Sequence, residues 1–204
     1  MYTPSLEQVT ALAASGNLVP IYREISADLE TPVSAYLKIA RGAYSFLLES
    51  VEGGERQGRY SFIGTEPYRL LRTGPGTETG PVDPLLPIEQ ELSSHKSVTV
   101  EGLPRFIGGA IGYLSYECVS YFEPRVPPMP ADPQGLPESV FTFVDTLLVF
   151  DHLRHDIKVV SHVRLDGDVD GAYEEATGKI EDMVQRLSQP LELAPGLPGS
   201  LGEV

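Results

Sequence analysis

The chain has 204 residues, 41% hydrophobic and 22% charged, which is enough to bury a sizeable core and excludes a chain disordered throughout. Its 29 acidic against 15 basic residues give a net charge of −14, which argues against nucleic acid or an anionic membrane surface as partner, since both require basic patches. Cys118 is the single cysteine, so no intramolecular disulfide and no thiolate metal cluster can form. The N-terminus has no basic leader and the chain has no run of about eighteen apolar residues, so a reducing, cytoplasmic setting is expected.

Thr3-Pro4 carries a helix-start signal, with Thr3 as cap and Pro4 at the first helical position, and Leu6, Val9, Leu12 and Ala13 repeat at helical spacing until Gly16. This predicts a helix over 4–14. Residues 18–26, LVPIYREIS, read as a strand. Thr31-Pro32 repeats the start signal for a helix over 32–41, whose apolar face is read as Val33, Tyr36, Leu37 and Ala40.

Residues 44–64 then present two apolar runs around Glu52-Gly53-Gly54-Glu55, and the Gly pair supplies the positive φ angles of a tight hairpin turn. With that turn, Leu48 faces Arg59 and Phe46 faces Ser61. One strip then carries Phe46, Leu48, Ser50, Gln57, Arg59 and Ser61, a mixture suited to a small zwitterionic ligand with an apolar body. The other carries Leu47, Glu49, Val51, Tyr60 and Phe62.

A strand over 68–72, a polar loop over 74–81 and a helix over 84–93, started by Asp83-Pro84, follow. Phe106–Tyr116 mixes glycine with aromatics. Gly108, Gly109 and Gly112 lack the Lys-Ser/Thr of a phosphate-binding loop and the spacing of a dinucleotide fold, so they read as sites of close backbone packing. Six prolines over 124–137 predict an extended connection. Val140–Phe150 and Ile157–Val163 read as one long hairpin turning through Leu153–Asp156. A helix over 170–187 places Tyr173, Ala176, Ile180, Met183, Val184 and Leu187 on one side. Residues 1–188 are expected to form one domain and 189–204, rich in Gly and Pro, a flexible linker. Mixed elements without regular βαβ alternation predict an α+β fold of antiparallel sheets with peripheral helices.

Two constellations have metal-ligand residue types. DGDVDG, 166–171, has the first half of an EF-hand loop, but Thr177 stands where a bidentate Glu is required, so Asp168 or Asp170 reads as a helix cap. Asp151, His152, His155 and Asp156 fall in a hairpin turn and read as a polar loop. Cys118 reads as a small buried residue.

Three blocks carry a family resemblance. Leu47–Ser50 (LLES) followed by Gly58–Gly64 (GRYSFIG), then Phe106–Pro124 with its GGxxGYxxY pattern, then Phe141–His152 ending in FDH, resemble in order the N-terminal region of anthranilate synthase large subunits, component I. The resemblance implies that Leu48, Glu49 and Ser50 belong to a regulatory site for the feedback inhibitor L-tryptophan. It also implies a parent enzyme that converts chorismate to anthranilate and pyruvate, using Mg²⁺ and ammonia from a glutamine amidotransferase subunit, component II. The chorismate and Mg²⁺ residues of that family belong to a C-terminal half, expected beyond Val204. No catalytic, cofactor or metal residue is therefore assigned, and the chain alone is expected to be inactive. Aminodeoxychorismate synthase component I has a similar N-terminal region, and a stand-alone amino-acid-binding module is the alternative from another class.

Overall fold

The computed structural model describes residues 1–49, 58–127 and 134–191. Among them the helices are α1 (Leu6–Ala11), α2 (Pro32–Ile39), α3 (Leu85–Ser93), α4 (Val119–Phe122) and α5 (Val169–Ser188). The strands are β1 (Leu18–Ser26), β2 (Phe46–Glu49), β3 (Tyr60–Gly64), β4 (Arg69–Thr73), β5 (Gly109–Leu114), β6 (Ser139–Val144), β7 (Thr146–Asp151) and β8 (Asp156–Arg164). They form a five-stranded sheet, β1-β8-β7-β3-β2, and a three-stranded sheet, β4-β6-β5. Every pairing between these strands is antiparallel, and the fold is the expected α+β.

The helix signals hold with local corrections. Ser5, not Thr3, caps α1 through a reciprocal capping box with Gln8, while Thr3 bridges the Tyr22 backbone through bonds of 2.9 and 2.8 Å. Thr31 caps α2 as expected, but the buried face is Pro32, Ala35 and Ile39, leaving Val33 and Leu37 51% and 50% exposed. Small Ala35 allows α2 to lie close against the sheet and α5, a packing choice that periodicity alone does not dictate. Asp168 caps α5 by accepting the Gly171 amide at 3.1 Å, as the sequence suggested.

The segment read as one strand over 140–150 is two strands in different sheets. Asp145 is the break. Its carboxylate accepts hydrogen bonds from Thr146 and Lys179, both at 3.0 Å, and its carbonyl accepts one from His162 at 2.8 Å. The apolar, β-branched sequence on both sides gives no sign of the sheet change.

The β2–β3 register also differs from expectation. Phe46 faces Gly64, Leu47 faces Ile63, Leu48 faces Phe62 and Glu49 faces Ser61, a shift of three from the tight-turn register. An odd shift exchanges the faces of one strand relative to the other. The Phe46 ring explains the choice, since a Cβ on Gly64 would fall 2.3 Å from it, and a glycine opposite an aromatic ring is a stable strand pairing. The Gly53-Gly54 turn lies outside the described residues.

One face of the large sheet is sealed by α1, α2 and α5. Val19, Ile21, Ile63, Leu148, Phe150, Ile157, Val159 and Val163 pack there with Val9, Ala35 and Ile39 and with the α5 side chains Ala176, Ile180, Met183 and Leu187. Each large aliphatic side chain buried this way contributes about 1.5 to 3 kcal/mol. The smaller sheet has its own core of Leu71, Ile88 and Phe143. Within it, a Cβ on Gly112 would fall 1.9 Å from the Val140 carbonyl oxygen, which bears out the reading of close backbone approach there. Cys118 is 1% exposed, with its thiol donating to the Glu138 carbonyl at 3.3 Å and pushed up in pKa by burial.

Candidate functional site

The second face of the five-stranded sheet is built differently. Tyr22, Tyr60, Phe62, Leu147, Val149 and Val160 lie beneath Leu103, Phe106 and Ile107. Phe62 meets Phe106 edge-on, with centroids 5.1 Å apart, so the GRYSFIG and glycine-rich blocks touch through their aromatics.

Strand β2 forms an edge of this sheet. Cross-strand partners share a face, so Leu48 stands beside Phe62 on the second face, and it is 43% exposed. Glu49 lies opposite Ser61 and points to the helix-covered side. Of the expected site residues the structure therefore brings Leu48, but not the Glu49 side chain, to the aromatic surface. Ser50 lies outside the described residues.

Next to this surface the sequence blocks interlock. Arg59 grips Asp151 through two hydrogen bonds, Nε to Oδ1 at 3.0 Å and Nη2 to Oδ2 at 2.6 Å, and lies over the Tyr60 ring at 4.8 Å. Asp151 Oδ1 also accepts from the amides of Leu153 and Arg154, at 3.1 and 3.3 Å, which shapes the β7–β8 turn. Burial alone would raise the Asp151 carboxyl, but the Arg59 and backbone hydrogen bonds outweigh it and hold the group below the usual carboxylate range. His152 joins Ser61 through Nε2 and Oγ at 2.7 Å, and its amide donates to the Arg59 carbonyl at 2.9 Å. The FDH block thus holds the GRYSFIG block in place.

Asp151 and Asp156 stand directly opposite each other, an unfavourable pairing unless each has its own cation. Lys158 serves Asp156. It is 1% exposed, and its ammonium donates to Asp156 at 2.7 Å and lies 3.2 Å from Glu24. Burial would lower its pKa, yet these two carboxylates raise it. Strand alternation alone does not reveal this residue, because a lysine in a strand ordinarily reads as solvent-facing.

At the opposite end of the same face is a cavity of about 550 Å³ between the 97–109 segment and the ends of β6 and β8. His95, Arg105, Gly108, His162 and Arg164 line it with Tyr68. His162 must donate through Nδ1, since its partner, the Asp145 oxygen at 2.8 Å, is a carbonyl, and burial holds the ring below its ordinary pKa. Gly108 gives the ring room, because a Cβ there would fall 3.1 Å from His162 Cε1 and 2.9 Å from the Val144 carbonyl oxygen. Leu48 and Glu49 are not among its walls.

Among the described residues, no group of three or more His, Cys, Asp or Glu side chains is placed to hold a metal ion. No helix of these residues is long and apolar enough to cross a membrane.

A family model described as chorismate binding enzyme matches residues 43–196. The chain is 46% identical over 192 residues to a probable anthranilate synthase component 1 of Schizosaccharomyces pombe, covering 92% of this chain and 38% of that protein. It is 40% identical over 206 residues to the anthranilate synthase component 1 of Synechocystis, covering 94% of this chain and 40% of the relative. Among solved structures, anthranilate synthase component I from Streptococcus pneumoniae superimposes with a TM-score of 0.52 at 26% identity, covering 81% of this chain and 37% of that one. The chain spans about two fifths of the length of these curated relatives.

Proposed function

The chain belongs to the chorismate binding enzyme family, and we propose that within it the chain is the N-terminal, regulatory portion of an anthranilate synthase component 1. The observation that carries this reading is alignment over more than nine tenths of the chain with relatives of that name, of which it matches only about two fifths. Residues 1–188 make up this portion in the proposal, and 189–204 lead away from it. The complete enzyme would convert chorismate to anthranilate and pyruvate in tryptophan biosynthesis, in the cytoplasm, with ammonia from a glutamine amidotransferase subunit. Mg²⁺ finds no fitting ligand set among the described residues, so no role in holding the metal is assigned to this portion.

The regulatory role is assigned to β2. Bound L-tryptophan requires acceptors for its ammonium, donors for its carboxylate and an apolar wall for its indole. Leu48 beside Phe62 supplies apolar wall, and β2, paired only with β3 among the described residues, has backbone groups facing away from that partner. In this reading the Glu49 backbone and the Ser50 hydroxyl provide polar contacts, while the Glu49 carboxylate on the other face has a structural role.

The test uses the complete enzyme. Ser50→Ala removes one ligand hydrogen bond, about 0.5 to 1.5 kcal/mol, and should raise the inhibition constant for tryptophan roughly two- to tenfold. Ser50→Arg, which also blocks the pocket, should raise it further, with turnover in the absence of tryptophan measured alongside. Unchanged inhibition of the Ser50→Arg enzyme would overturn the regulatory assignment. The 204-residue chain alone, given chorismate, Mg²⁺ and ammonium, should yield no fluorescent anthranilate above a protein-free control.

A further inference from the structure

The run DGDVDG at 166–171, which lacks the last ligand of a calcium loop, holds the chain's two Asp-Gly pairs, Asp166-Gly167 and Asp170-Gly171, and the chain has no Asn-Gly. In an Asp-Gly pair the aspartate carboxyl readily meets the next amide nitrogen, because glycine has no side chain to shield that nitrogen and leaves the backbone free to turn. The reaction requires the nitrogen to be unengaged. Two identical dipeptides therefore differ in reactivity according to where the fold puts each glycine amide.

Asp166 and Gly167 lie in an exposed bend between β8 and α5, outside both elements. The Gly167 amide donates to no group among the described residues, and a Cβ on Gly167 would meet nothing within 4 Å. Asp170 and Gly171, by contrast, belong to the first turn of α5. The Gly171 amide donates to Asp168 Oδ1 at 3.1 Å, and Asp168 Oδ2 stands 2.5 Å from where a Gly171 Cβ would be, so the capping carboxylate covers this glycine. Attack by the Gly171 nitrogen first requires the cap bond and the helical turn to open.

We propose that Asp166 is a modification site, at which the folded chain forms isoaspartate, and that the Asp168 cap protects Asp170 from the same reaction. The Gly167 nitrogen bonds to the Asp166 side-chain carboxyl carbon, the amide proton and the carboxyl hydroxyl leave as one water, and a five-membered succinimide closes. Water then adds to either of its carbonyls. Opening at one restores aspartate, and opening at the other runs the main chain through the side-chain carbonyl and frees the former backbone carbonyl as a carboxylate. The sum is an isomerisation that needs no oxidant or cofactor. Its exposed product is of the class taken by carboxyl methyltransferases that use S-adenosylmethionine. Only Leu165, Asp166 and Gly167 separate the end of β8 from Asp168, so the methylene that isoaspartate adds to the main chain falls directly before the α5 cap. The inference does not rest on the regulatory reading of β2, and failure of either leaves the other standing.

The test is incubation of the 204-residue chain for weeks in warm, neutral buffer, with circular dichroism confirming that it stays folded. Trypsin then releases both pairs in one peptide, Leu165–Lys179, in which electron-transfer fragmentation assigns isoaspartate to either position. Isoaspartate is expected to form at 166 at least about fivefold faster than at 170, the factor that a typical N-cap bond supplies. In a synthetic peptide of Leu165–Lys179, where no fold holds either amide, the two rates should be comparable. Asp168→Ala should raise the rate at 170 roughly two- to thirtyfold, the range of cap energies. Asp166→Glu, which keeps the carboxylate but cannot close the five-membered ring, should abolish methyl transfer to this position from labelled S-adenosylmethionine by an isoaspartyl carboxyl methyltransferase. Absence of isoaspartate at 166 in the folded chain under conditions that produce it in the peptide, equal rates at the two positions of the folded chain, the same preference in the peptide as in the folded chain, or an unchanged rate at 170 in a folded Asp168→Ala chain would overturn the proposal.

Discussion

The two faces of the five-stranded sheet use the same strands for different purposes. On the helix side, aliphatic residues fill the centre, and the few polar groups satisfy one another or a neighbour: Thr146 bonds Ser161 at 2.9 Å and Ser61 bonds His152 at 2.7 Å. On the second side, Arg59, Asp151, Asp156, Lys158 and His162 stand among half-buried rings, the first four as ion pairs and His162 bonded to the Asp145 carbonyl. An apolar face stabilises through area removed from water and needs little geometric precision. A face of paired charges gains less net stability, because desolvation offsets most of the attraction, but it sets groups in defined directions. Both the proposed tryptophan strand and the cavity open on this second face.

If this division is correct, the largest loss comes from the sealed side. Leu148→Ala, at a fully buried position, should cost about 2 to 5 kcal/mol in urea unfolding through lost burial and an unfilled cavity. A smaller loss would mean that the helix layer collapses onto the sheet and is not tightly packed.

Lys158→Met tests the second face where it is most buried. The variant keeps the aliphatic bulk but leaves Asp156 without its cation, so about 3 kcal/mol of destabilisation is expected. A variant as stable as wild type would show that the lysine serves only as packing.

Acid sharpens the contrast further. The Asp151 carboxyl titrates below its unfolded value, so the stability it contributes is fully present above the ordinary carboxylate pKa, about 3.9, and is lost as pH falls through the lower native-state value. Stability curves of wild type and Asp151→Asn, measured from neutral pH into this acid range, should show a shallower acid slope in the variant. Equal slopes would exclude the Arg59 pair as a source of acid sensitivity.

The smallest effect belongs to the exposed edge. Leu48→Ala should change stability by less than about 0.5 kcal/mol, since the side chain packs little in this chain. A cost approaching that of Leu148→Ala would place Leu48 in the core and remove it as a ligand wall.

Much of the fold was legible in the sequence, but unevenly. The start of α2 at Thr31-Pro32, the Asp168 cap and the buried stripe of α5 from Ala176 to Leu187 all depend on residues within a few positions of each other. The buried side of α2, the change of sheet at Asp145 and the β2–β3 register did not follow from such local signals. Of the site, Leu48 was found at a half-exposed position on the aromatic face, whereas Lys158 and the His162 cavity went unread, because burial of a polar side chain depends on what other strands bring to it.

Caps, turns and amphipathic stripes arise from short-range hydrogen bonding and side-chain period, so the amino-acid order by itself determined the α+β class and most of the helices. Tertiary structure alone decided which strands share a sheet, where Asp151 finds Arg59 across 92 positions, and how Arg105 and Arg164 come to stand around one cavity. Those outcomes depend on which distant groups must share the limited space beside one packed sheet face, and chain order does not specify that geometry.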